Sequence, residues 1–233
     1  MIEEGSLKNP ALDILSFSSY PSRISIMKTL IASLALALTL PTLAQAEKIS
    51  LFDGETFAGW EGDTNKTWRI SDGSIVGGNL KGKVPHNEFI CTTKQFTNFI
   101  LRVKFKLVGT EGVVNGGVQF RSQRVPKHFE VSGYQADLGD GWWGALYDES
   151  RRDKVLVKAD PEAVKKALRK NEWNDYEIRC EGKRIRLAIN GVQTVDYTEA
   201  DEKIPDFGIL GMQVHGGGVT EAYYKDITIE HLP

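Results

Sequence analysis

The segment "NFILRVKFKL" (Asn98–Leu107) sets apolar side chains at 99, 101, 103, 105 and 107, with Arg102, Lys104 and Lys106 between them. That alternation is the signature of a strand with one buried and one wet face. The same period recurs in "GVQFRS" (117–122), "GYQADL" (133–138), "GMQVHG" (211–216) and "AYYKDITIEHL" (222–232). It recurs again in "WNDYEIRC", where Tyr176, Ile178 and Cys180 share a side, and in the run holding Ile185, Leu187 and Ile189. Asp72-Gly73 and Asn190-Gly191 lie between extended runs and predict tight hairpins, because both central residues of such a turn need positive φ. One helix is expected near 161–170. Asp160 can cap it, Pro161 suits its first position, and "EAVKKALRK" consists of good helix formers. Many strands and one short helix predict an all-β fold of two antiparallel sheets packed face to face.

The N-terminal segment reads differently. From Met27, a lysine is followed by the apolar run Leu30–Leu40, then Pro41 and Ala44-Gln45-Ala46. Charge, short apolar run and small-residue cleavage site in that order predict a secretory signal peptide over 27–46. Residues 1–26 would then be a spurious or disordered extension, and 47–233 one domain by size. No cysteine follows the apolar run, so a lipoprotein anchor is not indicated, and the run is too short to span a bilayer comfortably. The expected location is periplasmic or secreted, with no membrane span in the mature chain. Cys91 and Cys180 would bridge only if their strands were neighbours; otherwise they are two buried thiols. A formal net charge of −2 gives no reason to expect nucleic acid or an anionic surface as partner.

The polar sides of the strands carry the chemistry. Gln119 and Arg121 oppose Val118 and Phe120; Gln135 and Asp137 oppose Tyr134, Ala136 and Leu138; Gln213 and His215 oppose Met212 and Val214. For a single strand, a solvated outer face is the simpler account. Taken together, amides, carboxylates, a guanidinium and an imidazole bordered by Trp142, Trp143 and Tyr147 are the inventory of a sugar-binding groove. Planar polar groups match vicinal hydroxyls, and indoles cover the apolar faces of pyranoses. Gly216-Gly217-Gly218 beside His215 is expected to let a ligand approach the backbone. Trp60, Trp68 and Trp173 are expected in the core. No H-E-x-x-H, G-x-S-x-G or phosphate-loop motif occurs.

"LFDGETFAGW" (51–60), "GVQFRS", "GYQADLGDGWWGALYDESRR" (133–152), "WNDYEIRCEG" (173–182), "INGV" (189–192) and "GILGMQVHGG" (208–217) together resemble the 3-keto-disaccharide hydrolase family. The resemblance implies a concanavalin A-like jelly-roll sandwich with a ligand groove on one sheet. It also implies cleavage of 3-keto-glycosides by removal of the C2 proton, elimination of the glycosidic oxygen and addition of water. A separate sugar oxidoreductase would supply the keto-sugar. Carried onto this chain, Glu130, Asp137 and His215 are the candidate base or metal-ligand residues. Gln119, Arg121, Tyr134, Gln135, Trp143 and Tyr147 are the candidate substrate-binding residues. A divalent cation (Ca, Mg or Mn) serves some relatives. A lectin-like module without turnover is the alternative. An ordinary glucanase is disfavoured, because no E-x-D-x-x-E string occurs.

Overall fold

A computed structural model describes residues 47–233. The readings of 1–26 as an extension and 27–46 as a signal peptide fall outside the described residues. Among these residues no helix is long and apolar enough to cross a membrane.

In chain order the strands are β1 (Lys48–Ser50), β2 (Trp60–Glu61), β3 (Trp68–Ser71), β4 (Ser74–Asn79), β5 (Glu88–Phe96), β6 (Phe99–Gly112), β7 (Asn115–Arg124), β8 (Val131–Gly139), β9 (Leu146–Glu149) and β10 (Lys154–Val157). The helix α1 (Pro161–Ala167) follows, then β11 (Asn174–Glu181), β12 (Arg184–Ile189), β13 (Val192–Thr198), β14 (Gly208–Val214) and β15 (Gly218–His231). They form two antiparallel sheets. The first runs β13-β12-β11-β6-β15-β4-β3, with β1 also on β15; the second runs β10-β9-β8-β7-β14-β5-β2.

The alternating residues fill the space between the sheets. Leu101, Phe105, Tyr176, Ile178, Leu187 and Ile229 from the first sheet meet Val118, Phe120, Ala136, Leu138, Met212 and Val214 from the second in one core. Lys104 and Lys106 stay at the partly exposed outer face of β6, as the period-2 pattern requires. Asp72-Gly73 and Asn190-Gly191 form their hairpins with positive φ at all four residues. The Asp160 carboxylate accepts from the Glu162 N–H at 3.1 Å and caps α1, which ends at Ala167, short of the expected Lys170.

One expectation needs correction. Trp173 is not core: it has the parity of Glu177, so it stands on the outer side of the first sheet. There Lys225 Nζ lies 4.2 Å and Lys106 Nζ 5.2 Å from its ring. Trp60 and Trp68 are buried as expected. Cys91 and Cys180 are free thiols. Cys180 points into the main core, whereas Cys91 packs with Phe89, Val131 and Ile209 in a separate small cluster. Cys91 sits on the side of the second sheet that faces away from the core, so the two thiols do not meet.

Candidate functional site

Register across the second sheet builds the site. One row runs Gly211, Gln119, Gln135 and Tyr147 across β14, β7, β8 and β9. The adjoining row runs Gln213, Gly117 and Asp137. The intervening row, Met212, Val118, Ala136 and Leu146, faces the core. Odd-numbered side chains of four strands therefore project to the side away from the core. Gly117 is the floor: a Cβ there would lie 2.5 Å from Cδ of Gln135, so only glycine lets that amide lie across β7.

A cavity of about 430 Å³ opens above this floor, lined by Asn115, Gln135, Asp137, Trp142, Tyr147, Glu149 and His215, with Val113 at its edge. A buried hydrogen-bond chain leads to it. Ser122 Oγ donates to Gln119 Oε1 at 2.9 Å, Gln119 Nε2 to Gln135 Oε1 at 2.6 Å, and Gln135 Nε2 to Asp137 Oδ1 at 2.7 Å. Asp137 Oδ2 is buried with no protein partner. Burial pushes the Asp137 carboxyl well above the usual carboxylate range; the bond from Gln135 opposes this and the charge of Glu149 adds to it. Burial, followed by the charge of Glu130, raises Glu149 to about 7, against a bond of 3.2 Å from Gln213 Nε2. Two carboxyls whose affinity for a proton is raised thus share one hollow, an arrangement suited to proton transfer.

The residues singled out from sequence divide into three groups. Gln135, Asp137, Tyr147 and His215 line the cavity. Gln119 and Glu130 stand behind the lining. Gln119 is wholly buried and holds Gln135, while Glu130 accepts from Asn87 Nδ2 at 3.1 Å and Ser150 Oγ at 3.3 Å. Arg121, Tyr134 and Trp143 are placed elsewhere. The β7–β8 register slips between Phe120 and Gln123, and Arg121 adopts φ +47°, which turns its side chain off the polar row. Its guanidinium instead donates to Thr97 O (2.7 Å) and Gly182 O (2.6 Å), tying down two turns. Tyr134 shares parity with Ala136 and faces the core; it stacks on Phe120 and donates to Glu199 Oε2 at 2.7 Å. Trp143 packs against the core with its Nε1 on Asp140, and its neighbour Trp142, 40% exposed, takes the cavity wall edge-on to Tyr147.

Glu149 and Asn115 are lining residues that sequence reading misses. The signal for Glu149 is present in "LYDE": Tyr147 and Glu149 share one face, and Leu146 and Asp148 the other. Gly216–Gly218 also serve a different end from the one expected, because their backbone packs against neighbouring chain at the sheet crossover. A Cβ on Gly218 would lie 1.9 Å from Val113 O. Among the described residues no three His, Cys, Asp or Glu side chains are grouped to hold a metal ion. The donor set around Asp137, Glu149 and His215 does not fit the divalent cation that the resemblance implies.

The jelly-roll of two antiparallel sheets and its aromatic-walled, carboxyl-bearing cavity, together with the family match, indicate a carbohydrate-acting or carbohydrate-binding fold. Residues 47–230 match the family described as the 3-keto-alpha-glucoside-1,2-lyase-like domain, and the chain belongs to that family. No curated protein matches the chain. Among solved structures it is similar to a provisionally assigned glycosyl hydrolase from Parabacteroides distasonis ATCC 8503. That likeness has 21% identity and a TM-score of 0.58, over 80% of this chain and 94% of that one. It is also similar to the carbohydrate-binding module CBM66 from Bacillus subtilis (17% identity, TM-score 0.57, 74% and 95% covered). A protein from Bacillus subtilis with a galectin-like fold is a third (13% identity, TM-score 0.50, 79% and 94% covered). At these identities the likenesses concern the fold.

Proposed function

We propose that the chain is a secreted or periplasmic enzyme that cleaves glycosides already oxidised to the ketone at C3, with Glu149 as base and Asp137 as proton donor. The ketone acidifies the C2 hydrogen. Glu149, ionised above about pH 7, removes that proton, and the electron pair passes into an enolate. Asp137, whose burial favours the protonated carboxyl, presents Oδ2 as a donor to the developing oxygen charge. The C1–oxygen bond then breaks as the enolate collapses, the leaving oxygen takes the proton that Glu149 removed from C2, and water adds across the C1–C2 double bond, its proton going to C2 and its hydroxyl to C1. Gln135, Tyr147 and His215 supply hydroxyl contacts, and Trp142 covers an apolar ring face. A separate sugar oxidoreductase would supply the keto-sugar. The observation that carries this reading is that two carboxyls, Glu149 and Asp137 with its buried, unpartnered Oδ2, line one cavity, which a module that only binds sugar does not need.

The test is aglycone release from a chromogenic 3-keto-glucoside. Wild-type protein should release it, with kcat/KM rising as pH climbs through about 7, since the base acts unprotonated, and falling again at higher pH where Asp137 gives up its proton. Glu149→Gln and Asp137→Asn should each lower kcat by about 100-fold or more. Binding without release would make the protein a carbohydrate-binding module, and cleavage of an unoxidised glucan would make it an ordinary glucanase.

A further inference from the structure

Gln213 has no part in the reaction above, yet it is wholly buried and bonded to Glu149. It stands on β14 beside Gly117 of β7, three strands from β9 in the order of the second sheet. Its side chain nevertheless reaches across the floor, and Nε2 donates to Glu149 Oε2 at 3.2 Å. Among the described residues Glu149 Oε1 takes no hydrogen bond, and Glu149 lines the cavity. The backbone of Gln213 is anchored from the other sheet: Tyr224 Oη of β15, buried in the core, donates to Gln213 O at 2.6 Å. The far end of the amide, Oε1, is buried with no protein partner. An amide kept only for structure has both ends satisfied within the protein. Here the donor end alone is used, and it is used on the carboxyl at the cavity.

Resting on the function proposed above, we propose that Gln213 is a positioning residue: it engages Glu149 Oε2 and so leaves Oε1 as the oxygen that removes the C2 proton. The C2–H bond breaks, the proton passes to Oε1 and the electron pair enters the enolate. A carboxylate turns in a broad well about its last bond, so one charge-assisted hydrogen bond to one oxygen settles which atom faces outward. The same bond favours the ionised carboxyl against its surroundings. Glu130 from the β7–β8 link, Asp153 from the turn after β9, and Asp148 on β9 all raise its hold on a proton, and Asp137 of β8 shares its field. Tyr147 and His215 are the other titratable groups that line the cavity. Gln213 is the neutral donor that opposes these carboxyls.

The test follows aglycone release from the chromogenic 3-keto-glucoside and, separately, NMR titration of the Glu149 side-chain carboxyl, assigned with Glu149→Gln. Gln213→Met keeps the bulk and removes the donor. Its kcat should fall about tenfold with KM within about twofold of wild type, and the ascending limb of its pH profile should move up by about one unit. Gln213→Asn, which draws the amide back by one methylene, should act alike. In both variants the NMR midpoint of Glu149 should rise with the limb. A loss of kcat with limb and midpoint unmoved makes Gln213 merely structural and overturns the proposal, as does unchanged turnover. Release of aglycone by neither wild type nor variants overturns the proposed reaction instead. The NMR titration then decides the contact: a raised midpoint in the variants keeps Gln213 as the group that sets Glu149, and an unmoved one removes it.

Discussion

Glu149 is held in the fold at a cost to stability. Its folded pKa, about 7, lies above the ordinary 4.5, so the folded chain binds this proton more tightly than the unfolded chain does. The group therefore favours folding most below pH 4.5. That contribution is lost as pH rises toward 7, and stability is flat above it. The penalty on the ionised form is on the order of 3 kcal/mol. Glu149→Gln removes the charge but keeps the shape. Urea denaturation should show the variant about 1–3 kcal/mol more stable than wild type at pH 8, with little difference at pH 4. An equal shift at both pH values would mean that the carboxylate is not destabilised where it sits. A group that weakens the fold at neutral pH, yet lines the cavity, fits a catalytic role better than a structural one.

At the scale of the element, β9 shows how little sequence a site needs. Its four residues use both faces: Tyr147 and Glu149 turn to the cavity, and Leu146 and Asp148 turn inward. Asp148 is wholly buried and held by Arg151 (2.7 Å) and by Arg152. Arg152 also meets Glu199 at 2.7 Å, and Glu199 accepts from Tyr134 and Tyr197 as well. Burial works against the Glu199 carboxylate, but these bonds hold it at about 2. Arg152→Met leaves two buried carboxylates short of a partner and should cost about 3 kcal/mol or more at pH 7, read from the urea midpoint. A loss below 1 kcal/mol would show that solvent replaces the guanidinium. Period-2 alternation was enough to read the sandwich, its hairpins and the polar faces of β7, β8 and β14. The same rule misplaced Arg121, because a bulge is a pairing event that the strand's own residues do not announce. "YDESRRDK" reads equally well as a solvated loop; only pairing with β8 makes its first three residues a strand. Trp142 and Trp143 are interchangeable as letters, and the turn closed by their two N–H groups on Gly139 O decides which one meets the cavity.

Across the whole molecule, the site lies where the chain passes twice between the sheets. The link from β6 to β7 holds Val113, and the link from β14 to β15 holds His215 through Gly217. The two links run side by side: Gly218 pairs with Gly112 in the first sheet, and Val214 with Gly116 in the second. They are joined directly by Val113 N–H to Gly217 O (3.4 Å) and His215 N–H to Asn115 O (3.1 Å). A third segment is joined by Gly217 N–H to Val84 O (2.7 Å). The same backbone contact that holds the sheets together therefore sets the positions of Val113, Asn115 and His215 at the cavity. Gly218 is the point where no side chain fits, since its Cβ would meet Val113 O at 1.9 Å, a backbone atom with no rotamer to escape into. Gly218→Ala should force the crossovers apart and destabilise the protein by about 3 kcal/mol or more, measured as a fall in Tm. Gly82→Ala, with open space around its Cβ and, like Gly218, no left-handed φ, serves as the control for the loss of a glycine and should cost less than about 1 kcal/mol. If the two variants fall equally, close approach of the crossovers is not what joins the sheets at this end, and the placement of His215 must come from β14 alone.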